Sequence, residues 1–484
     1  MKRLMTALTG LALVASLAGC KVGPNYKRPI VDTPASYRGG LAPDITATPT
    51  TTPLGAQKWD TVFTDPILQA LIAEALKNNY DVKIAADRVL EQQAQVGITR
   101  AGEYPTLSAG ASYDAIGLPS SLLNGLNNNS SSNNGSSNSN SNTSSRYYSG
   151  GFTASVAWNL DFWGMYRRQT EAARANLRAT EWAQQTTYSS LVESIATDYY
   201  QLRTLDSQLE ITKQTLKARQ DSLKLTQTLE QGGNTSLVDV RQAEQLLYTA
   251  QSQIPDLERQ IEQMENNINL LLGRSPGPIA RGQSINELTH PVDVPVGLPS
   301  DLLERRPDIR RAEQLLVEAN ANIGVAKAQF FPALSITGSG GTSSSQLKGL
   351  VDSKNAYYYA IGSLSQPIFD AGKIRNNYRQ AQAEHKELLD TYQQTIAGAL
   401  RDVSNALSAY SRTREYREQQ ELLVASATDA SKLSRIRYNG GATSYLEVLT
   451  DDTNLYTAQL NLQTAQQQEA LSLVQLYNAL GGGW

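Results

Sequence analysis

The sequence predicts a mainly α-helical protein with a membrane β-barrel portion, built from four strands and long coiled-coil-like helices in an internal two-fold repeat. Three observations predict it: a stretch near residue 232 that returns 208 residues later, two proline-free stretches of 66 residues, and segments in which apolar and polar residues alternate. The chain has 484 residues, 40% of them hydrophobic, with a mean hydropathy of −0.39. After the N-terminus no run reaches the ~18 to 20 apolar residues of a membrane-spanning helix. Helical spans are thereby excluded, whereas period-two strands are not.

Residues 1–19 read as a lipoprotein signal peptide and stay outside the fold argument. Lys2 and Arg3 supply the charge, Leu8 to Leu17 the apolar stretch, and "LAGC" the cleavage site, which looks like a bacterial lipobox. Cleavage before Cys20 and acylation of its thiol and amino group are expected, with this covalent lipid as the only attached group and no other cofactor. Cys20 is the sole cysteine, so the mature chain has no internal disulfide. Lys21 follows it in place of the Asp that retains such lipoproteins at the inner membrane, which points to the outer membrane. The mature chain keeps 41 basic and 46 acidic residues, a net charge of −5 that argues against a nucleic-acid partner.

Residues 20–64 carry scattered prolines (Pro24, Pro29, Pro34, Pro43, Pro49, Pro53) and read as a lipid-anchored tail and equatorial segment. The first repeat covers 65–274 and the second 301–484, with 275–300 as the linker between them. At an offset of 208, Gly164 meets Gly372, Arg167 meets Arg375, and "LYTAQ" recurs. At an offset of 227, Asp81, Gly97 and Pro105 meet Asp308, Gly324 and Pro332. The 19-residue difference between the offsets matches the Asn/Ser-rich stretch 124–145, which cannot bury apolar surface and reads as a loop.

Each repeat reads as helix, strand hairpin, very long helix, tight turn and returning helix. Strands are expected near 105–114, 151–162, 332–341 and 357–367. In the second, Phe152, Ala154, Val156, Trp158 and Leu160 share one face and Thr153, Ser155 and Asn159 the other. Such strands suit a transmembrane barrel, or else a soluble half-buried sheet, and four are too few to close a barrel when about eight are needed. Several protomers must share one barrel if these strands span a membrane. The helices at 166–231 and 373–438 carry heptad-compatible stripes (Leu202, Leu205, Leu209, Leu216, Leu223; Leu400, Val403, Leu407, Tyr410) and would each run roughly 100 Å. The returning helices, 236–272 and 444–480, are shorter, and Pro255 in the first should kink it.

"LAGCKVGPNYKRP", "GLPSDLLERRPDIRRAEQLLVEANANIGVAKAQFFPALSITG" (297–338), "NGGATSYLEVL" and the closing "LGGGW" resemble the TolC-like outer-membrane factors, in the lipoprotein branch often termed NodT-like. The resemblance covers nearly the whole mature chain. It implies a trimeric α-barrel/β-barrel channel: a homotrimer with twelve strands in the outer membrane of a Gram-negative bacterium and a helical barrel extending into the periplasm. It also implies a periplasmic adaptor (membrane fusion protein) and an inner-membrane pump of the RND type as partners. On this footing Tyr147, Tyr148, Tyr357, Tyr358 and Tyr359 would form an outer aromatic girdle, with Trp158, Phe162 and Trp163 at the inner interface.

The two Gly-Gly turns, Gly232, Gly233, Thr235 and Ser236 and their copies Gly440, Gly441, Thr443 and Ser444, would then lie at the periplasmic tip and contact the adaptor. Acidic residues just past them, Asp239, Glu447, Asp451 and Asp452, are the candidates for a gate that closes the pore. Ser236 with Asp239 and Ser444 with Glu447 also have capping-box spacing, which favours a helix-capping role for those two acids. The family's "YLEVLDA" is "YLEVLTDD" here, which moves the acid by one position and leaves open which Asp faces the pore. The first copy has Arg241 and Gln242 where the second has Leu449 and Thr450, and only the second continues with "DD", which places the gate charge mainly on the second hairpin. Catalysis has no support: two histidines, His290 and His385, one cysteine, no metal-ligand spacing and no phosphate-binding loop. The expected function is passive export of small molecules. The same architecture serves metal-ion efflux and type I protein secretion, and a non-conducting structural lipoprotein is the alternative outside that class.

Overall fold

The computed structural model describes residues 21–32, 34, 36–38, 53–118, 145–287 and 299–484. The signal peptide, Cys20, the Asn/Ser stretch up to residue 144 and linker residues 288–298 with His290 lie outside the described residues. The first repeat runs α1 (Pro66–Asn78), α2 (Tyr80–Ala101), β1 (Thr106–Leu118), β2 (Ser145–Leu160), α3 (Met165–Gln231) and α4 (Leu237–Leu271). The second runs α5 (Pro307–Ala328), β3 (Ala333–Ser344), β4 (Ala356–Ser365), α6 (Lys373–Asn439) and α7 (Tyr445–Ala479). Helix α1 was not anticipated, although Asp65-Pro66 is a start signal: the Asp65 carboxylate accepts from the Ile67 amide at 2.8 Å and proline occupies the first turn. Strand β4 ends at Ser365, ahead of Pro367, which has no N–H to give the ladder. Helix α4 continues on both sides of Pro255.

The repeat is written into the backbone. Gly164 and Gly372 have φ of 78° and 83°, Gly233 and Gly441 72° and 71°, Gly273 and Gly481 69° and 81°. Each pair is 208 residues apart, and each member sits where a helix begins or ends in a left-handed residue that glycine adopts without steric cost.

The chain divides into two compact units. The first comprises the residues up to Tyr26, Ala94–Arg174 and Val317–Lys386. Its four strands form one antiparallel sheet in the order β1-β2-β3-β4. The register Ser108↔Ser155↔Ser339↔Tyr359 puts every odd-numbered residue of β2, β3 and β4 on the face shared by Ser108. That face carries hydroxyls, including Ser108···Ser155 and Ser335···Ser363 pairs at 2.7 Å. The opposite face carries Leu107, Phe152, Val156, Trp158, Ile336 and Leu364, all exposed.

The alternation corrects one expectation: three consecutive tyrosines cannot share a girdle. Tyr358 lies on the apolar face with Tyr148, which stacks on Tyr113 at 6.3 Å, whereas Tyr357 and Tyr359 lie on the hydroxyl face. Trp163 donates its ring N–H to the Pro332 carbonyl at 2.9 Å and stacks on Phe331, and Trp158 donates to the Glu103 carbonyl at 3.1 Å. Both tryptophans thus tie the helix-side ends of the strands.

The same unit seats the N-terminal stretch. Arg168, 1% exposed, reaches Asn25 Oδ1 at 2.9 Å, the Val22 and Gly23 carbonyls at 3.4 Å, and Glu171 at 3.0 Å. The Val22 amide donates to the Trp163 carbonyl at 3.1 Å. Gly23 lies so close to Gly324 that a Cβ on it would stand 2.5 Å from the Gly324 Cα.

The second unit, Lys27–Gln93, Ala175–Leu316 and Glu387–Trp484, holds most of the apolar core. Leu68 and Ile72 of α1, Ile195 and Leu202 of α3, Ile268 of α4, Ile396 and Val403 of α6, and Val474 and Leu476 of α7 are fully or almost fully buried. Asp65, 1% exposed, accepts from the Tyr199 hydroxyl at 2.7 Å and the Gln283 amide at 3.0 Å, tying α1, α3 and the linker together. The C-terminus is clasped likewise: Ser189 Oγ lies 2.5 Å from the Gly482 carbonyl, and Trp484 meets Trp182 edge-on at 5.7 Å.

Gly282 shows how tightly the Asp65 junction is closed, since a Cβ there would stand 2.2 and 2.4 Å from the Asp65 carboxylate oxygens. Gly282→Ala is expected to cost about 1–3 kcal/mol in denaturant unfolding by overpacking. Gly277→Ala, with nothing within 4 Å of the added Cβ, should be near neutral and serves as the control.

Candidate functional site

The two helix reversals are built alike in backbone and differently in side chains. After α3, the Gly233 amide donates to the Glu230 carbonyl at 2.8 Å and the Asn234 amide to the Leu229 carbonyl at 2.8 Å. After α6, Gly441 to Tyr438 at 2.9 Å and Ala442 to Arg437 at 2.8 Å repeat the pattern. The six-residue closure and the left-handed glycine satisfy the last helical carbonyls at each end. Gly232, Gly233, Gly440 and Gly441 are exposed, as are Ser236 and Ser444, while Thr235 and Thr443 are half-buried.

In the first reversal Ser236 and Asp239 form a complete capping box. The Ser236 amide donates to Asp239 Oδ2 at 3.1 Å, and the Asp239 amide donates to Ser236 Oγ at 3.4 Å. The Thr235 hydroxyl also donates to Asp239 and, with the Ser236 bonds, holds the carboxyl below the usual carboxylate range. Asp239 is thus committed to closing the turn.

In the second reversal the expected box is not formed, because Ser444 makes no side-chain cap. Glu447 instead accepts from Thr443 and from Arg437 Nη1, the latter at 2.9 Å. An arginine at the end of α6 is within reach of the longer acid, and its charge outcompetes a neutral serine. The corresponding residue of the first reversal is Leu229, so no such competitor exists there.

Asp451 and Asp452 also divide. Asp452 accepts from Ser431 Oγ at 2.7 Å and Arg435 Nη2 at 2.7 Å, which ties α7 back to α6. Asp451, about 100° further round the helix, is half-buried and makes no hydrogen bond or ion pair among the described residues. Of the four candidate acids, Asp451 alone keeps its charge uncommitted.

The structure adds residues that the sequence reading missed. Arg219 of α3, 6% exposed, donates to the Leu246 carbonyl at 2.6 Å and lies over the Tyr456 ring at 5.2 Å, and its Nε has no partner. Burial pushes the guanidinium pKa down, against the upward pull of Tyr456 and Asp452. Tyr456 in turn reaches Thr212 at 3.0 Å, and Tyr445 reaches Ser222 at 2.9 Å. Ala243, Tyr445, Val448 and Leu449 make an apolar cluster next to these bonds. Arg219 lies three residues after Leu216, on the heptad stripe, so an arginine in an apolar register was the available signal. Among the described residues no cluster of His, Cys, Asp and Glu fits a metal ion, and no helix is long and apolar enough to cross a membrane.

Comparison with known proteins places this geometry. The family model described as outer membrane efflux protein matches residues 71–274 and 298–482. The solvent efflux pump outer membrane protein SrpC of Pseudomonas putida is 36% identical over 469 residues, covering 97% of this chain and 96% of its own. The cation efflux system protein CusC of Escherichia coli K12 is 32% identical over 477 residues, covering 98% and 99%. Among solved structures, the open-state outer membrane channel MtrE of Neisseria gonorrhoeae superposes with a TM-score of 0.83 at 27% identity, covering 96% of this chain and 98% of that one.

The two caps predict unequal responses. Ser236→Ala should cost the first turn of α4 ~1 kcal/mol, read as roughly fivefold faster hydrogen exchange at its first amides. Ser444→Ala should leave exchange in α7 unchanged, because its hydroxyl caps nothing. Since the Asp239 pKa is lowered in the fold, its contribution is present above the ordinary aspartate value of about 3.9 and lost as pH falls through the lower folded value. With the intrinsic slowing of amide exchange at lower pH divided out, protection at the first reversal should therefore fall on acidification below ~pH 4.

Proposed function

Because the chain belongs to the outer membrane efflux protein family, we propose that this outer membrane efflux channel works as the outer component of a tripartite system. It receives cargo from an inner-membrane pump of the RND type through a periplasmic adaptor, and an acyl group on Cys20 anchors it. Three copies would share one barrel. The observation that carries the reading is the four-stranded sheet, with one apolar face, one face rich in hydroxyls and, among the described residues, two open edges in β1 and β4. An amphipathic sheet with open edges suits a membrane only as a segment of a closed barrel, hydroxyls toward water and apolar side chains toward lipid.

The cargo is read as small organic molecules. SrpC is named for solvents and a second relative at 36% identity, TtgI of P. putida, for toluene, while CusC at 32% is named for cations. The mature chain offers only Met165 and Met264 as thioethers, which gives no thioether-lined path for soft metal ions. The chemistry is conduction, so the protein acts as a channel and not as an enzyme.

Reconstitution in planar bilayers tests the reading, with discrete channel currents expected from the wild-type protein. Asp452→Ala releases Ser431 and Arg435 and should raise single-channel conductance. Asp451→Asn removes the uncommitted charge and should lower the preference for cations, read from the reversal potential in a salt gradient. If both variants keep wild-type conductance and selectivity, the gate does not lie at these residues.

A further inference from the structure

We infer that Tyr357 and Tyr359 form a contact site for planar aromatic solutes on the hydroxyl face of the sheet. The inference rests on the duct reading, which turns that face toward the lumen. The two residues are separated by two positions on β4, so their side chains leave the sheet on the same side. Their rings are nearly parallel, 12° apart with centroids at 6.5 Å, and both remain exposed, Tyr357 by 37% and Tyr359 by 50%.

The pair is held in place before any solute arrives. Tyr357 is opposite Gly341, which is opposite Thr153. With no side chain at Gly341, the Tyr357 side chain crosses β3 and its hydroxyl meets Thr153 Oγ1 at 2.9 Å, two strands away. No larger residue fits at Gly341, where a Cβ would stand 2.0 Å from the Phe152 carbonyl oxygen. Ser339, opposite Tyr359, is buried. A ring pinned in this way loses little rotamer freedom when it binds.

The surroundings make the pair distinctive. The rest of this face is mainly serine, threonine and glycine, with Asn159, Asp114, Ala157, Ala333, Tyr147 and the aliphatic Ile116, Leu118 and Ile361, and the four strands carry only two charged residues, Asp114 and Arg146. A hydroxyl wall does not discriminate between aliphatic and aromatic solutes, whereas stacked rings do so by face and edge contacts. Tyr357 is the second residue of β4, at the end of the strand that joins the β3–β4 connection. The site thus lies at the hairpin end of the sheet, and a weak contact there lets a solute enter and still leave.

The test uses the full-length protein in planar bilayers with two singly charged cations, planar aromatic 9-aminoacridine and tetraethylammonium, which has no ring. In the wild type, 9-aminoacridine should reduce the open-channel current more strongly than tetraethylammonium does. Tyr357→Leu with Tyr359→Leu keeps apolar bulk and removes the rings. It should raise the concentration for half-reduction by 9-aminoacridine roughly three- to tenfold, with unaltered conductance and response to tetraethylammonium. Tyr358→Leu, on the opposite face, should leave the 9-aminoacridine response at the wild-type level. An unchanged response in the double variant, or an equal loss in Tyr358→Leu, overturns the inference and leaves the duct standing. A wild-type protein that forms no channels overturns the duct reading itself, and the site with it.

Discussion

A four-stranded antiparallel sheet has two edges, and the membrane forbids both. Among the described residues strands β1 and β4 each pair on one side only, which leaves the backbone donors and acceptors of their outer edges without a strand partner there. In hydrocarbon each such group costs several kcal/mol. In water the same sheet would expose Leu107, Phe152, Ile336 and Leu364 on one face. Barrel closure with further copies, as proposed above, would answer both problems at once. The side chains largely agree with the backbone: one face is rich in hydroxyls and the other is apolar, with Ile116 and Ile361 as exceptions on the hydroxyl face.

The duplicated backbone and the divergent side chains show what each copy retains. Three pairs of left-handed glycines keep their φ values within about 12° of each other across the repeat, because a helix cannot otherwise reverse or end at those points. Nothing comparable fixes the acids. Asp239 closes its own turn, Glu447 pairs with Arg437, Asp452 pairs with Arg435, and Asp451 is left over. At the turn itself the first hairpin is therefore closed by local hydrogen bonds and the second by ion pairs between its two helices. Ion pairs at exposed positions are weak and salt-sensitive.

Periodic features were legible in the sequence and pairings were not. Long proline-free stretches gave α3 and α6, and period-two alternation gave the strands, since both signals arise from many residues acting together. Helix α1 was overlooked although Asp65 and Pro66 announce it and Leu68, Leu71, Ile72 and Ala75 recur at helical spacing, because its 13 residues lie between a proline-rich tail and a longer helix. The girdle assignment of Tyr357–Tyr359 failed on composition: three tyrosines in a row suggest a belt, but the pleat sends the middle one to the other face. The capping box at Ser444 had the right spacing and was lost to Arg437, a competitor 10 residues from Glu447 that local motif reading does not include.

Arg219, Thr212 and Ser222 show how polar residues set the relation of one hairpin to the other. The three lie on one stripe of α3, and their partners Tyr456 and Tyr445 are 11 residues apart on α7, close to three full turns and so on a common face. Burying a guanidinium whose Nε has no partner costs about 1–3 kcal/mol, which an apolar residue at that position would avoid. What the arrangement secures is register. A slip of one helical turn, about 5.4 Å, would break the Thr212, Arg219 and Ser222 contacts together, whereas a seam of leucines would tolerate it. Helices locked against sliding can still rotate or splay as hairpins, so any movement near the turns has to be a movement of whole hairpins, with the ion pairs at Arg435 and Arg437 bearing the strain within the second.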